Sequence, residues 1–171
     1  MVVLRATQKL GGVLPPSTEP VRESDTALGD WYVNRLTVDR QPLLLLVSAR
    51  SLLAILTPAR DVRELPKRLP ALVAARLKRL GIAARLIAAE TAAMEPVAVA
   101  RTKDRSVVGI MVDYANMIPS YLPVGGWDAT TLPFVESQLA ENPCHASGPS
   151  EAVIFPRKAA PTLLSGRWHA A

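Results

Sequence analysis

The chain has 171 residues, 49% of them hydrophobic and 20% charged, so it is long and apolar enough to bury a core and is not an intrinsically disordered protein. Its formal net charge of +5 permits association with nucleic acid or with an acidic protein partner. A single cysteine excludes an internal disulfide, and with two histidines it leaves too few ligands for a Cys/His zinc site, so no metal and no cofactor is expected.

The first half of the chain predicts a strand-rich unit. Val2–Ala6 reads as a short strand, followed by a brief helical turn over residues 7–10 with Thr7 as its candidate N-cap. Beyond a loop rich in glycine and proline, Trp31–Val38 alternates as a half-buried strand does. Turn residues at 39–40 join it to the apolar run 43–47, which is typical of a strand buried on both faces. The two strands are expected to form a hairpin.

The middle of the chain predicts a change from strand to helix. Residues 52–56 indicate a third strand, with a helix as the alternative. Asp61 can cap a segment whose leucines follow a helical period, but Pro66 and Pro70 interrupt it. Because proline inside a helix costs roughly 3 kcal/mol, the main helix is predicted to begin near Pro70. Gly81 stands where a helix-ending glycine belongs.

The remaining elements complete one predicted domain. Three more helices and one strand are expected, at residues 82–93, 104–118 and 129–141 and at residues 97–101. Beyond residue 146 the composition shifts to serine, glycine, proline and alanine. We therefore predict a single α+β domain over residues 1–146, a small mostly antiparallel sheet covered by helices. Residues 147–171 are predicted to be a loosely attached C-terminal tail.

The helix predicted at residues 104–118 is the strongest candidate for a site. Its apolar side carries Val107, Met111 and Tyr114, and its polar side carries Ser106, Gly109, Asp113 and Asn116. A glycine in mid-helix costs roughly 1 kcal/mol relative to alanine, which close approach of a ligand or of another backbone would explain. The amino end, with Lys103 and Arg105, could also bind an anion. The alternative is a solvated helix face with no ligand.

Asn34 is a second candidate because it shares a strand face with apolar side chains. A buried amide without a hydrogen-bond partner costs roughly 1 to 3 kcal/mol, so it either satisfies a loop backbone or binds a ligand together with Thr7 or Arg105. The complete set of ligand-binding candidates is Thr7, Asn34, Arg105, Ser106, Asp113 and Asn116.

Three motifs resemble those of a bacterial family of unknown function. They are the Arg-x-Thr-x-Lys-Leu strand at residues 5–10, Trp-x-x-Asn at residues 31–34 with the Asp-Arg hairpin at residues 39–40, and Thr-x-x-Arg-Ser-Val-x-Gly-x-Met-x-Asp at residues 102–113. The resemblance covers residues 1–146. Ile110 and Val112 replace the serine and asparagine of the family signature, which disfavours a catalytic surface on this helix. The resemblance implies a domain assignment and no activity.

The positive charge is concentrated between residues 60 and 85, where eight basic residues face only Asp61 and Glu64. The candidates for nucleic-acid contact are Arg63, Lys67, Arg68, Arg76, Lys78 and Arg79. Aromatic residues are missing from this segment, which disfavours recognition of single strands by base stacking. A solvated helix whose basic side chains extend over leucines is the alternative.

These observations favour a non-enzymatic binding or interaction protein of the bacterial cytoplasm. The longest leucine-rich run is far shorter than the roughly 20 residues of a membrane span, so a soluble protein is expected. One alternative is a nucleic-acid-associated protein. Another is a small hydrolase or nucleotide-binding enzyme, which requires Asn34, Arg105, Ser106 and Asp113 to converge on one cleft. Adjacent Cys144 and His145 do not favour a nucleophile with its base, since neighbouring side chains rarely reach one point.

Overall fold

The computed structural model describes residues 1–145 and 153–169 of the chain. Its main sheet is built from the strands β1 (Val2–Ala6), β2 (Trp31–Val38), β3 (Gln41–Ser48), β4 (Ala54–Pro58) and β5 (Val97–Arg101). Their order in the sheet is β4-β3-β2-β1-β5. β1 pairs in parallel with both β2 and β5, whereas β2 with β3 and β3 with β4 pair antiparallel.

Helices cover both faces of this sheet. They are α1 (Leu65–Arg79), α2 (Ala84–Ala93), α3 (Arg105–Tyr121), α4 (Leu132–Ala140) and α5 (Pro156–Trp168). A small antiparallel hairpin is formed by β6 (Cys144–His145) and β7 (Val153–Ile154). The predicted α+β class is confirmed, with antiparallel pairing on one side of the sheet and parallel pairing on the other.

The two faces of the sheet carry two separate apolar cores. The core on the α1 face includes side chains of α1, α2 and α5, and the core on the α3 face includes side chains of α3 and α4. In β3, Leu44 and Leu46 point to the α1 face, whereas Leu43, Leu45 and Val47 point to the α3 face. All five are fully buried, which is why the strand is apolar from Leu43 to Val47.

The β2–β3 hairpin is confirmed, and its turn explains the residues at its tip. Asp39 and Arg40 both have positive φ, at 50° and 64°. Positive φ at both central residues is the geometry of a tight hairpin turn whose twist matches that of the strands, and aspartate tolerates it better than most residues.

Helix α1 begins at Leu65, so the predicted start near Pro70 is wrong. Pro66 lies in the first turn, where a missing N–H costs little, and Pro70 lies inside the helix. Leu65 and Leu69 are fully buried. Burying a leucine side chain stabilises the fold by about 1.5 to 3 kcal/mol, which offsets the cost of the proline inside the helix. Asp61 does not cap this helix. Its φ is 48°, and its side chain makes no capping hydrogen bond to the described residues.

Other predicted details of the elements also change. The third strand is confirmed as a strand, but it runs from Ala54 to Pro58 because Leu52, at a φ of 59°, belongs to the preceding turn. Helix α4 starts at Leu132 rather than at residue 129. Thr7 precedes a short 3-10 turn, Gln8–Leu10, yet among the described residues its hydroxyl caps nothing there.

Most of the predicted loose tail is a helix packed on the core. Ala160 and Leu164 of α5 are fully buried on the α1 face, and the Trp168 Nε1–H donates to Glu90 Oε2 at 2.7 Å. Ala160, Leu164 and Trp168 follow one another at i, i+4 spacing and form one apolar stripe of the helix. The overall composition of the segment does not reveal this stripe. The predicted boundary at residue 146 falls where the described part of the chain is interrupted.

Both edge strands are covered by other parts of the chain. Along β4, Glu136 Oε2 accepts the Leu56 N–H at 2.9 Å, and Arg76 Nε donates to the Ala54 carbonyl at 3.0 Å. Along β5, the Ser17 N–H donates to the Val99 carbonyl at 2.8 Å. These bonds occupy backbone groups on both edges that could otherwise pair with another strand.

Candidate ligand-binding site

The sheet topology creates a crevice between the carboxyl ends of β1 and β5. These strands are neighbours and parallel, but the chain leaves them in opposite directions. After β1, Leu10 and Leu14 enter the core on the α1 face, whereas after β5 the chain enters α3 on the other face. A divergence of this kind, at a switch point in strand order, is where open sheets with parallel strands bind ligands.

A cavity of about 390 Å³ opens at this crevice. One wall comes from the end of β1 and the loop after it, and the other from the end of β5. The lining residues are Ala6, Thr7, Gln8, Gly11, Leu14, Pro16, Ala100, Arg101 and Thr102. Arg101 is exposed, and its guanidinium donates to none of the described residues, so its charge is free to meet a ligand.

Two predicted candidates, Thr7 and Asn34, meet beside this cavity. The Thr7 hydroxyl donates to Asn34 Oδ1 at 2.7 Å, and the same oxygen accepts the Arg35 N–H at 2.9 Å. The Thr7 N–H bonds to the Val33 carbonyl, which aligns the end of β1 with β2. The side-chain oxygen of Asn34 is therefore satisfied by two donors of its own chain, and Thr7 also lines the cavity.

A buried ion pair supports the floor of the crevice, and sequence reasoning missed it. Arg5 is 8% exposed; its Nε donates to Asp30 Oδ2 at 2.5 Å, and its Nη1 donates to the Arg101 carbonyl at 2.9 Å. Asp30 also accepts the Ser24 hydroxyl at 2.6 Å. The sequence does contain a signal for this ion pair. An arginine inside the apolar strand Val2–Ala6 needs a partner for its charge when its neighbours are buried.

The carboxylate of Asp104 caps the amino end of α3. Asp104 accepts the Ser106 N–H at 2.8 Å and the Ser106 hydroxyl at 2.7 Å. The hydroxyl bond is the main reason that the pKa of Asp104 lies below its ordinary value. The Asp104 N–H in turn donates to the Tyr32 hydroxyl at 3.1 Å, and burial raises the pKa of that phenol. An external anion at this helix end would therefore meet the charge of Asp104.

The two sides of α3 are arranged as predicted. Val107, Met111 and Tyr114 are at most 3% exposed, whereas Asp113 and Asn116 are exposed. The helix thus turns its apolar stripe to the sheet and its polar stripe outward. Gly109 is exposed, and a Cβ built on it would meet no described atom within 4 Å.

The six ligand candidates do not converge on one cavity. Asp113 and Asn116 line a different cavity of about 420 Å³, between α3 and β6, together with Asn142, Cys144 and His145. Arg105 is exposed at the start of α3, and Ser106 is engaged by Asp104. None of the described cavities includes both Thr7 and Asp113.

Cys144 is placed as a buried structural thiol. It is 4% exposed, and its sulfur lies 3.2 Å from the Tyr114 hydroxyl, which donates to the Leu52 carbonyl at 2.8 Å. Burial raises the pKa of the Cys144 thiol, which opposes formation of a nucleophilic thiolate. His145 is the next strand residue and is exposed, and the Cys144 sulfur has no hydrogen bond to it among the described residues.

The basic segment does not present its six candidates on one face. Arg76 is 3% exposed and hydrogen-bonded inside the protein, and Arg79 pairs with Glu136 at 2.7 Å. Lys67 pairs with Glu64 at 3.1 Å, and Arg68 bonds to the Arg60 carbonyl. Arg63 and Lys78 are the exposed candidates without a described hydrogen-bond partner.

Within residues 1–145 and 153–169, no group of three or more His, Cys, Asp or Glu side chains could hold a metal ion. None of the helices described is both long enough and apolar enough to cross a membrane.

A comparison with protein families identifies the chain's family. A family model described as a domain of unknown function (DUF6933) matches residues 3–159, and this match spans more than half of the 171 residues. The chain therefore belongs to the DUF6933 family, in agreement with the resemblance to a family of unknown function. The match continues past residue 146 into α5. No curated protein and no solved structure matches the chain.

Proposed function

We propose that this member of the DUF6933 family is a small-molecule binding domain whose ligand occupies the crevice between β1 and β5. The observation that carries the proposal is the cavity of about 390 Å³ at the point where the chain leaves two adjacent parallel strands in opposite directions. Its volume lies within the roughly 300 to 1,000 Å³ of small-molecule sites.

The lining of the crevice indicates the chemistry of the ligand. Arg101 supplies a guanidinium, which matches the two oxygens of a carboxylate or phosphate group. Thr7 and Thr102 supply hydroxyls beside it, and Leu14 and Pro16 supply apolar surface. This combination fits a small organic anion with an apolar body.

The same lining residues favour a binding role over a catalytic one. Its residues offer no carboxylate, imidazole or thiol that could serve as a general base or nucleophile. The hydrolase alternative needs Asn34, Arg105, Ser106 and Asp113 in one cleft, and the distribution of the described cavities gives it less support. The cytoplasmic location and bacterial origin are part of the proposal and rest on the single cysteine and on the family resemblance.

The nucleic-acid alternative is supported less well than the crevice. Arg76 and Arg79 are engaged with the β4 edge and Glu136, which removes the centre of the proposed basic face. A nucleic-acid partner would still be revealed by retention on DNA that falls steeply with salt.

Replacing Arg101 tests the crevice proposal. Purified protein is titrated calorimetrically with inorganic phosphate, a nucleoside monophosphate and an aromatic carboxylate. We expect at least one organic anion to bind, and Arg101→Ala to weaken it by about tenfold or more, because a hydrogen bond to a charged group is lost. Arg63→Ala removes a similarly exposed arginine outside the crevice and should leave affinity unchanged. Equal affinities of wild type and Arg101→Ala would refute the site.

A further inference from the structure

The outer surface of α3 is left uncovered by the described chain. Gly109, Val112 and Asn116 are exposed there, and Val112 is 55% exposed although it is apolar. The neighbouring helix α4 lies on the same face of the sheet and exposes Phe134 to 57%. Both apolar side chains lie on the outside of the same helical layer, where they add apolar area to the polar stripe of α3.

Among the described residues, no packing contact explains the glycine at position 109. It lies in the middle of α3, where glycine weakens a helix relative to alanine. Apart from its chain neighbours and the nearby backbone of α3, no described atom lies within 4 Å of the Cβ that alanine would add, so glycine is not needed for packing against the described residues. An exposed glycine does allow a second helix backbone to approach closely.

The charges around Gly109 are self-complementary. Arg105 stands four residues before it and Asp113 four residues after it, so all three lie along one ridge of the helix. Arg105 and Asp113 are exposed, and neither forms an ion pair with a described residue. When two copies of α3 run antiparallel about a two-fold axis at Gly109, each Arg105 meets the partner's Asp113. This is the reciprocal pairing that a symmetric dimer interface requires.

We propose that this surface is the interface of a homodimer, with α3 of each copy crossing at Gly109. A stable interface buries about 800 Å² on each partner, which is more than one helix stripe supplies. The contact therefore extends to the outer side of α4, where the exposed Phe134 adds apolar area. The ligand crevice is formed within one chain, so the two proposals are independent.

Charge reversal tests the dimer with the full-length protein. Sedimentation equilibrium should show a dimer for the wild type. Arg105→Asp or Asp113→Arg should each weaken dimerisation by about tenfold or more, because two like-charged contacts replace two ion pairs. The double variant Arg105→Asp/Asp113→Arg restores opposite charges and should restore the dimer. A monomeric wild type, or a double variant no better than the single ones, would overturn the proposal.

The variant Gly109→Ala distinguishes an effect on the dimer interface from an effect on folding. The change should raise the melting temperature at concentrations where the protein is monomeric, since alanine favours the helix and meets no described neighbour. The same variant should dimerise more weakly, because its methyl group holds the two backbones apart. A variant with a raised melting temperature and unchanged dimerisation would place the contact elsewhere and contradict the crossing at Gly109.

Discussion

At the scale of single residues, the side chain of Asp104 determines where helix α3 begins. Its carboxylate accepts both the N–H and the hydroxyl of Ser106, while its own N–H reaches Tyr32 on the sheet. The residue thus starts α3 and also ties the helix to β2. These hydrogen bonds favour the charged carboxylate, so the fold is coupled to its protonation.

Replacing Asp104 tests this coupling. Asp104→Ala should lower the free energy of unfolding by about 1 kcal/mol at neutral pH, as the loss of an N-cap does. The folded pKa lies below the ordinary value of 3.8, so the stabilisation is present above that pH and disappears as the pH falls through the lowered pKa. Urea unfolding at several pH values measures the difference from the wild type.

Asp104→Asn is the matched control, because asparagine also caps helices but does not titrate. It should keep most of the stability at neutral pH and lose the pH-dependent part. A stability difference between wild type and Asp104→Ala that stays constant down to low pH would contradict the assignment.

At the scale of elements, the edge strand β4 depends on two charged side chains from different helices. The Glu136 carboxylate of α4 accepts a hydrogen bond from the Leu56 N–H, and the Arg76 guanidinium of α1 donates one to the Ala54 carbonyl. Arg76 also donates to the Glu136 backbone carbonyl at 3.3 Å. Burial lowers the pKa of Arg76, and the nearby Glu136 charge opposes that shift. The pair therefore joins helices from opposite faces of the sheet along its edge.

Glu136→Ala should destabilise the protein by about 3 kcal/mol. The change leaves a buried N–H without an acceptor and a buried guanidinium without its counter-charge. Chemical denaturation measures the loss, with Ser137→Ala as a control at an exposed neighbouring position. The exposed β4 edge should also increase aggregation, detected by light scattering. A loss no larger than that of Ser137→Ala would show that the edge is not held by Glu136.

At the scale of the whole molecule, the long loop after β1 and the C-terminal helix are held by one buried carboxylate. Glu90 of α2 is fully buried and accepts the N–H groups of Ala27 and Leu28, at 2.9 and 3.0 Å, and the Trp168 indole. Arg167 also donates to the Asp25 carbonyl at 3.1 Å. The long loop after β1 and the C-terminal helix are therefore parts of one structure with the α1 face.

Leu164→Ala should lower the free energy of unfolding by about 3 kcal/mol, because it opens a cavity beneath α5 in the core on the α1 face. Thr162→Ala, at an exposed position of the same helix, should have little effect. Urea unfolding monitored by circular dichroism compares the two. Equal, small effects would mean that the segment is as loosely attached as its composition suggests.

Local patterns were sufficient for much of the fold. The apolar run in β3, the turn at Asp39 and the two-sided α3 follow from side-chain periodicity and turn preferences, which act over a few residues. Composition was a poor guide beyond residue 146, where two buried side chains decide that α5 packs. The start of α1 was misjudged because burial of Leu65 and Leu69, a tertiary effect, offsets the cost of Pro70.

By itself, the amino-acid sequence determined the α+β class and the direction in which α3 faces, because both depend on local periodicity. Only the tertiary structure decided where a ligand site can lie. The crevice combines Thr7 with Arg101, which are distant in the chain and meet because β1 and β5 pair in parallel. Chain connectivity and strand order bring the two residues to one cavity, and neither is encoded in the spacing of neighbouring residues.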